Sequence, residues 1–324
     1  MESSRPLARL ETPDGYRQSF MDADLWRPFV ERVCHNNGLT CSLIRPGVTG
    51  TFPTFIVDEK RVVKFFGPQY DGGTCWQVET EAAQVMAGVP QIPVAGLLDG
   101  GMLAGEPDWH FLLFDFIPGV SIGEVYEKIL FDDKLALARW LGQRLPQIHQ
   151  IKLRDGTALP SLNPGQVHSW FSARWPKERQ HWPAHLAGQV EDYLSANAAF
   201  LQAGAAGFIH ADLTQDHFLG RIQAGRWETL AVIDFGDAMA GNLIYELVAL
   251  HLDLFACDRR LLGAFLQAYN LPPDPDFVRK AMVTSLLHQF DVYSSLFVWK
   301  PELRQACSLD EMADQLWKID NEKE

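Results

Sequence analysis

No two cysteines in this chain form a CxxC pair: Cys34, Cys41, Cys75, Cys257 and Cys307 are scattered and odd in number. That disfavours a disulfide framework and suits a reducing compartment. No segment approaches the ~20 uninterrupted apolar residues of a membrane helix, and the start, MESSRPLARLETPDGYRQSF, lacks the apolar core of a signal peptide. A cytoplasmic protein with no membrane partner is expected, and a monomer is the default. A complete GxGxxG is also missing. What remains is ordinary globular material, 47% hydrophobic and 21% charged over 324 residues, and at ~150 residues per domain it predicts two domains.

A basic excess is missing as well. Twenty-eight Lys and Arg stand against 41 Asp and Glu, a net charge of −13. Phosphate backbones need a basic face, so a nucleic-acid partner is disfavoured. The last segment, residues 234–324, carries 8 basic against 15 acidic residues. A cleft lined by carboxylates concentrates cations, so a cationic small molecule is the favoured partner.

Two runs carry the chemistry. FIHADLTQDHFLG and, after a short polar stretch, AVIDFGDAMAG place Asp212 and Asp234 each at the exit of an apolar, strand-like run. Phosphoryl transfer needs such a pair: one carboxylate orients and deprotonates the attacking hydroxyl, and the other holds the magnesium that bridges the phosphates of ATP. His210-Ala211-Asp212 reads as H-x-D, and Asp234-Phe235-Gly236 is a literal DFG. DFG by itself is ordinary turn chemistry; the two motifs together point to a kinase.

The elements around them agree. A helix is predicted over Asp22 to Asn37, capped by Asp22, with Trp26, Phe29, Val30 and Val33 at helical spacing. Thr51 to Val57 and Arg61 to Phe66 read as a hairpin, followed by a helix over Gly73 to Met86 and strands near Pro93 to Leu98 and Trp109 to Phe114. Lys64, between Val63 and Phe65, needs a partner for its ammonium; Glu81 is the first choice and Glu79 the fallback, since residues two apart on a helix face different ways. Gly47 and Gly50 offer a poorly formed phosphate loop. Asp115-Phe116-Ile117-Pro118-Gly119 reads as a hinge whose backbone would meet adenine, with a helix beginning after Ser121. A further helix runs from Asp132 to Gln150, kinked at Pro146. Arg154 to Trp182 is read as helices and loops, with Trp170, Trp175 and Trp182 more suited to core packing than to sugar stacking.

VVKFFG, EAAQVM, FIHADL and VIDFGDAMAGN, in that order, resemble the aminoglycoside phosphotransferases. DADLWRPFVERV, LGQRLPQIHQI, LVALHLDLFACDRRLLGAFL, SLLHQFDVY and DEMADQLW are similar, more narrowly, to the hygromycin B kinases that modify the 7″ hydroxyl. The resemblance fades between about residues 153 and 205. It implies an α+β, bilobal protein-kinase-like fold, with residues 1–115 as a nucleotide-binding lobe and residues 116–324 as a helical lobe. It implies ATP, or GTP, with Mg2+, and a cationic amino-sugar acceptor. Lys64 would bind the α and β phosphates, Glu81 would pair with it, and Asp115 and Phe116 would meet the base. Asp212 would be the catalytic base, Asp234 a metal ligand, and Asp237 and Asp291 substrate contacts. His251 and His288 also match, but their apolar helical runs suit core histidines.

In one respect the chain departs from the family. His217 stands where the family has a metal-binding asparagine, and imidazole is a poor direct replacement on magnesium. Either His217 acts through a bound water, or Asp216 or Gln215 supplies the oxygen, or the site holds fewer protein ligands and a weaker metal. Two other readings follow from the same residues: a kinase for another small alcohol, and a nucleotide-binding pseudokinase with a decayed metal site.

Overall fold

The computed structural model describes residues 7–48, 50–201, 207–272 and 274–319. Residues 1–6, at the head of the stretch read for a targeting signal, and Thr49, in the candidate phosphate loop, lie outside them.

Local chemistry sets the first helices. Pro13 opens α1 (Pro13–Ser19), and the Thr12 hydroxyl accepts the Gly15 N–H at 3.2 Å. Asp22 caps α2 (Ala23–Asn36), accepting from Asp24 and Leu25. The apolar stripe of α2 is buried as its spacing predicts, and the Trp26 ring stacks on Phe65 at 4.3 Å.

Phe65 belongs to an antiparallel sheet of β1 (Ile44–Pro46), β2 (Thr54–Val57), β3 (Arg61–Phe66), β4 (Leu97–Leu103) and β5 (Glu106–Asp115), ordered β1-β2-β3-β5-β4. The two-residue alternation of a strand sends Val63 and Phe65 toward α2 and leaves Lys64 and Phe66 on the other face. There α3 (Gly72–Ala87) packs, burying Val78, Ala82 and Met86. The edge strand begins later than its predicted start near Pro93 and carries Gly100 and Gly101. Leu112 of β5 lies 2.6 Å from where a Cβ on Gly100 would be, so Gly100 permits close approach between strands.

Past the hinge the chain is mainly helical. β6 (Val120–Ser121) pairs with β8 (Phe218–Gln223), which pairs with β9 (Arg226–Val232); β7 (Gly207–Ile209) pairs with β10 (Met239–Gly241). The helix predicted after Ser121 is a single turn, α4 (Ile122–Val125), closed by a Ser121–Glu124 capping box. α5 (Phe131–His149) runs through Pro146 without a break. α6 (Pro164–Glu178), α7 (Ala184–Ala187) and α8 (Val190–Ala196) follow. Trp175 and Trp182 are buried, Trp182 against Tyr293 and Phe297, and Trp170 packs on the same core.

α9 (Leu243–Ala249) runs into a π-helical turn, Leu250–Leu254, and then α10 (Arg259–Tyr269), α11 (Phe277–Leu286), α12 (Val292–Trp299) and α13 (Leu309–Trp317) complete the fold. Gly142 lets α5 meet α10, because a Cβ there would stand 2.4 Å from the Phe265 carbonyl. His251 and His288 are fully buried. The first holds the Leu316 carbonyl at 2.8 Å, and the second stacks on Tyr245 at 4.6 Å. The result is the α+β order expected from the sequence. None of the helices among the described residues is long and apolar enough to cross a membrane.

Candidate active site

Asp212 leaves β7 through Ala211, which takes φ +66, a left-handed conformation costly for alanine. Glu246 of α9 stabilises it. This carboxylate, 1% exposed, accepts the N–H of His210 at 3.0 Å and of Ala211 at 2.6 Å. His149 lies 3.7 Å from Glu246 and holds the Tyr269 hydroxyl at 2.8 Å. The sequence reading missed Glu246, whose only signal is a charged residue inside the apolar run LIYELVAL.

His210 joins the two motif strands. Its Nδ1 accepts the Asp212 N–H at 3.2 Å and its Nε2–H donates to the Ile233 carbonyl at 3.0 Å. Burial pushes its pKa down to about 4, so it acts as a neutral strut. The Asp253 carboxylate of the π-helical turn accepts the Gln215 N–H at 2.7 Å, and Gln215 Nε2 donates to the Asp253 carbonyl at 2.8 Å. These bonds hold Gln215 by its two nitrogens, and of the two residues expected to offer an oxygen in place of His217, Asp216 lines the same cavity as Lys64. π-Turns recur at functional sites, and this one fixes the loop between Asp212 and His217.

Asp234 also takes a left-handed conformation, φ +61, which turns its carboxylate toward β3. Lys64 Nζ lies 2.8 Å from Asp234 Oδ1 and 2.8 Å from Glu79 Oε2. The expected Glu81 pairing is thus corrected to Glu79. Glu81, two residues on, faces the other way, taking Arg154 at 3.2 Å, the Thr157 hydroxyl at 2.7 Å and the Ala158 N–H at 2.7 Å.

Charges in this cluster are strongly shifted. Burial works against the Lys64 ammonium, yet Asp234 and Glu79 outweigh it and hold its pKa above the ordinary value. Burial would neutralise Asp234 too, but Lys64 and His217 keep it far below the carboxylate range. Glu79 is pushed up to about 7 by burial. Burial, reinforced by the carboxylates of Asp237, Asp234 and Asp253 against the pull of His217, raises Asp212 to about 7. A carboxylate poised there suits a general base near neutrality.

His217 bridges the two aspartates, with Nδ1 3.6 Å from Asp212 Oδ2 and Nε2 3.9 Å from Asp234 Oδ2. Its burial is outweighed by Asp234 and Asp212, which raise its pKa. Nδ1 also contacts the Asp212 carbonyl at 2.6 Å. In the neutral ring, a proton on Nδ1 toward that carbonyl would leave Nε2 with a lone pair on the Asp234 side, and the raised pKa sets this form against the imidazolium. One carboxylate and one imidazole nitrogen would hold a divalent ion only with the rest of its shell taken from waters and phosphate oxygens, since no group of three or more His, Cys, Asp or Glu placed to hold a metal stands among the described residues.

Lys64, Glu79, Asp212, His217 and Asp234 all line one cavity of 1010 Å³. Asp115 and Phe116 line it too, but their N–H groups are spent on the Gly96 and Lys60 carbonyls, at 2.9 and 3.0 Å. Asp237 and Asp291 line the same cavity. Asp237 accepts from Gln289 Nε2 at 3.2 Å, and burial with the nearby Asp234 raises it to about 6. Asp291 instead caps α12, accepting from the N–H and hydroxyl of Ser294.

Solved structures with this fold include APH(2″)-IIIa in complex with GDP and kanamycin, 19% identical, covering 90% of this chain and 95% of that one at a TM-score of 0.65. The microcompartment-associated aminopropanol kinase is 15% identical over 89% and 95%, at 0.57. At these identities the likeness shows a shared kinase-like fold. A curated relative, lysine-specific demethylase JMJ21 of Arabidopsis thaliana, is 22% identical over 273 residues, 66% of this chain. The match spans only 29% of that protein's length. The sequence model of the phosphotransferase enzyme family matches residues 49–280, which include Lys64, Glu79, Asp212, His217 and Asp234, and the chain belongs to that family.

Proposed function

We propose that this protein transfers the γ-phosphoryl group of ATP, or GTP, to a hydroxyl of a cationic amino-sugar antibiotic, with hygromycin B as the first candidate. One observation carries the reading: Lys64, Asp234 and Asp212 converge on a single cavity that the carboxylates of Asp237 and Asp291 also line. Lys64 and Glu79 set the place of the phosphates. Asp212 orients the acceptor hydroxyl and takes its proton as the oxygen bonds to the γ-phosphorus and the nucleoside diphosphate leaves. Asp234 and His217 would hold a divalent ion, Mg2+ by expectation, which when bound would neutralise charge at the phosphates. Asp237 meets an ammonium or hydroxyl group of the acceptor, and Asp291, by capping α12, shapes the wall more than it pairs with charge. Residues 1–115 form the nucleotide lobe and 116–324 the acceptor lobe of a cytoplasmic monomer.

A smaller amino alcohol is the second reading, favoured by the exposed rings of Phe290 and Trp299 on the acceptor side of the cavity, which suit an apolar acceptor face. The test is nucleoside diphosphate release by the purified protein against hygromycin B, other aminoglycosides and small amino alcohols, with mass spectrometry of the product. A gain of one phosphoryl group on an aminoglycoside is expected. Nucleotide binding with no product on any acceptor would instead identify a pseudokinase.

A further inference from the structure

The loop between β1 and β2 bears on nucleotide binding. Gly47, Gly50, Thr51 and Phe52 line the cavity beside Lys64, yet the loop has only two glycines with which to approach phosphate. Its base is closed by the Gly47 N–H on the Thr54 carbonyl at 2.8 Å. Its far side is tied from outside the sheet: the Tyr16 hydroxyl of α1 donates to the Thr51 carbonyl at 2.7 Å.

Resting on the phosphotransfer reading above, we propose that Tyr16 is a positioning residue for the nucleotide, fixing this loop over the phosphates and coupling it to α3. Two further contacts support the coupling. Phe52, next to Thr51, is buried, with its ring 4.9 Å from Phe66 and 5.8 Å from the Lys64 ammonium. A shift at Thr51 therefore reaches Lys64. The Tyr16 ring also meets Tyr70 edge-on at 5.7 Å.

Tyr70 and Asp71 form a turn with two consecutive positive φ angles, 55° and 54°, immediately before α3, which carries Glu79. Backbone strain of this kind persists only where surrounding contacts hold it. Here the contacts come from the Tyr16 ring and from Gln69 Nε2, which donates to the Glu11 carbonyl. Tyr16 is 4% exposed, and burial holds its phenol well above the usual range, so it remains a donor at working pH. One short helix thus grips the phosphate loop and the start of the glutamate helix together. Ordering the loop before the nucleotide arrives removes that cost from binding.

The experiment compares wild type and Tyr16→Phe, which loses the hydroxyl and keeps the ring. The Kd for ADP with Mg2+ is read by displacement of a fluorescent ADP analogue. Loss of one hydrogen bond predicts binding weaker by roughly three- to tenfold, with the nucleotide KM rising by the same factor and the acceptor KM held. Gln69→Ala, which cuts the second tie, moves the nucleotide Kd in the same direction. A wild type that binds and a Tyr16→Phe chain with an equal Kd overturn the inference alone, as does a parallel rise in both KM values. A wild type that binds no nucleotide overturns the phosphotransfer reading and this inference with it.

Discussion

Lys64 Nζ lies 2.8 Å from Glu79 Oε2 in a pair whose side chains are 11% and 6% exposed, while Glu81 turns away to Arg154, Thr157 and Ala158. The two glutamates therefore answer differently to neutral substitution. Glu79→Gln removes a charge-assisted bond at Lys64 and lowers kcat/KM for nucleotide by roughly 10- to 100-fold. Glu81→Gln leaves the nucleotide KM in place and lowers Tm, because it loosens the 154–158 loop. Steady-state kinetics and thermal melts of both variants decide; the reverse pattern would restore Glu81 as the partner.

Glu246→Gln is the second discriminating change. An amide offers one acceptor where the carboxylate serves the N–H groups of His210 and Ala211, so one buried donor is left facing an NH2 group. A cost of about 1–3 kcal/mol in stability follows, and kcat falls more than either KM because the Asp212 loop relaxes. Urea unfolding and initial rates measure the two effects. A stable, fully active variant would remove Glu246 from the positioning role.

The pH dependence has a worked sign. Asp212, raised to about 7, is protonated below that value and cannot accept the hydroxyl proton, so kcat/KM for the acceptor falls about tenfold per pH unit on the acid side and levels above it. Because the folded state binds this proton more tightly than the unfolded chain, Asp212 destabilises the fold as pH rises from about 4 through 7. Asp212→Asn therefore raises Tm at pH 8, and the gain shrinks toward pH 4. A Tm difference that is flat with pH would contradict the raised value.

His217→Asn exchanges an imidazole nitrogen for an amide oxygen beside Asp234. Magnesium prefers oxygen, and manganese accepts nitrogen more readily. In the presence of ADP, the variant binds Mg2+ more tightly relative to Mn2+ than the parent chain does, read by competition against the Mn2+ electron paramagnetic resonance signal. Identical titrations for both proteins would place His217 outside the metal shell.

The sequence discloses some parts of this site more readily than others, for physical reasons. Lys64, Asp212 and Asp234 are legible because each sits at a fixed offset within or just after an apolar strand, where a charge needs a partner. Glu79 and Glu81 compete because helix phase in GGTCWQVETEAAQVM depends on where α3 begins, and its start is a strained turn at Tyr70 and Asp71 that no propensity predicts. β4 runs on past the predicted end near Leu98 through Gly100 and Gly101, because at Gly100 close packing on Leu112 overrides the low strand propensity of glycine. Glu246 and Tyr16 act on residues 35 positions away, through contacts that only the folded chain creates.

The central claim is that Asp212 is the base of a phosphotransfer site shared with Asp234 and Lys64. Nucleoside diphosphate release on the best acceptor, measured for wild type and Asp212→Ala alongside nucleotide binding, tests it most directly. The account predicts near-complete loss of turnover in the variant with nucleotide binding retained; wild-type turnover in Asp212→Ala would contradict it.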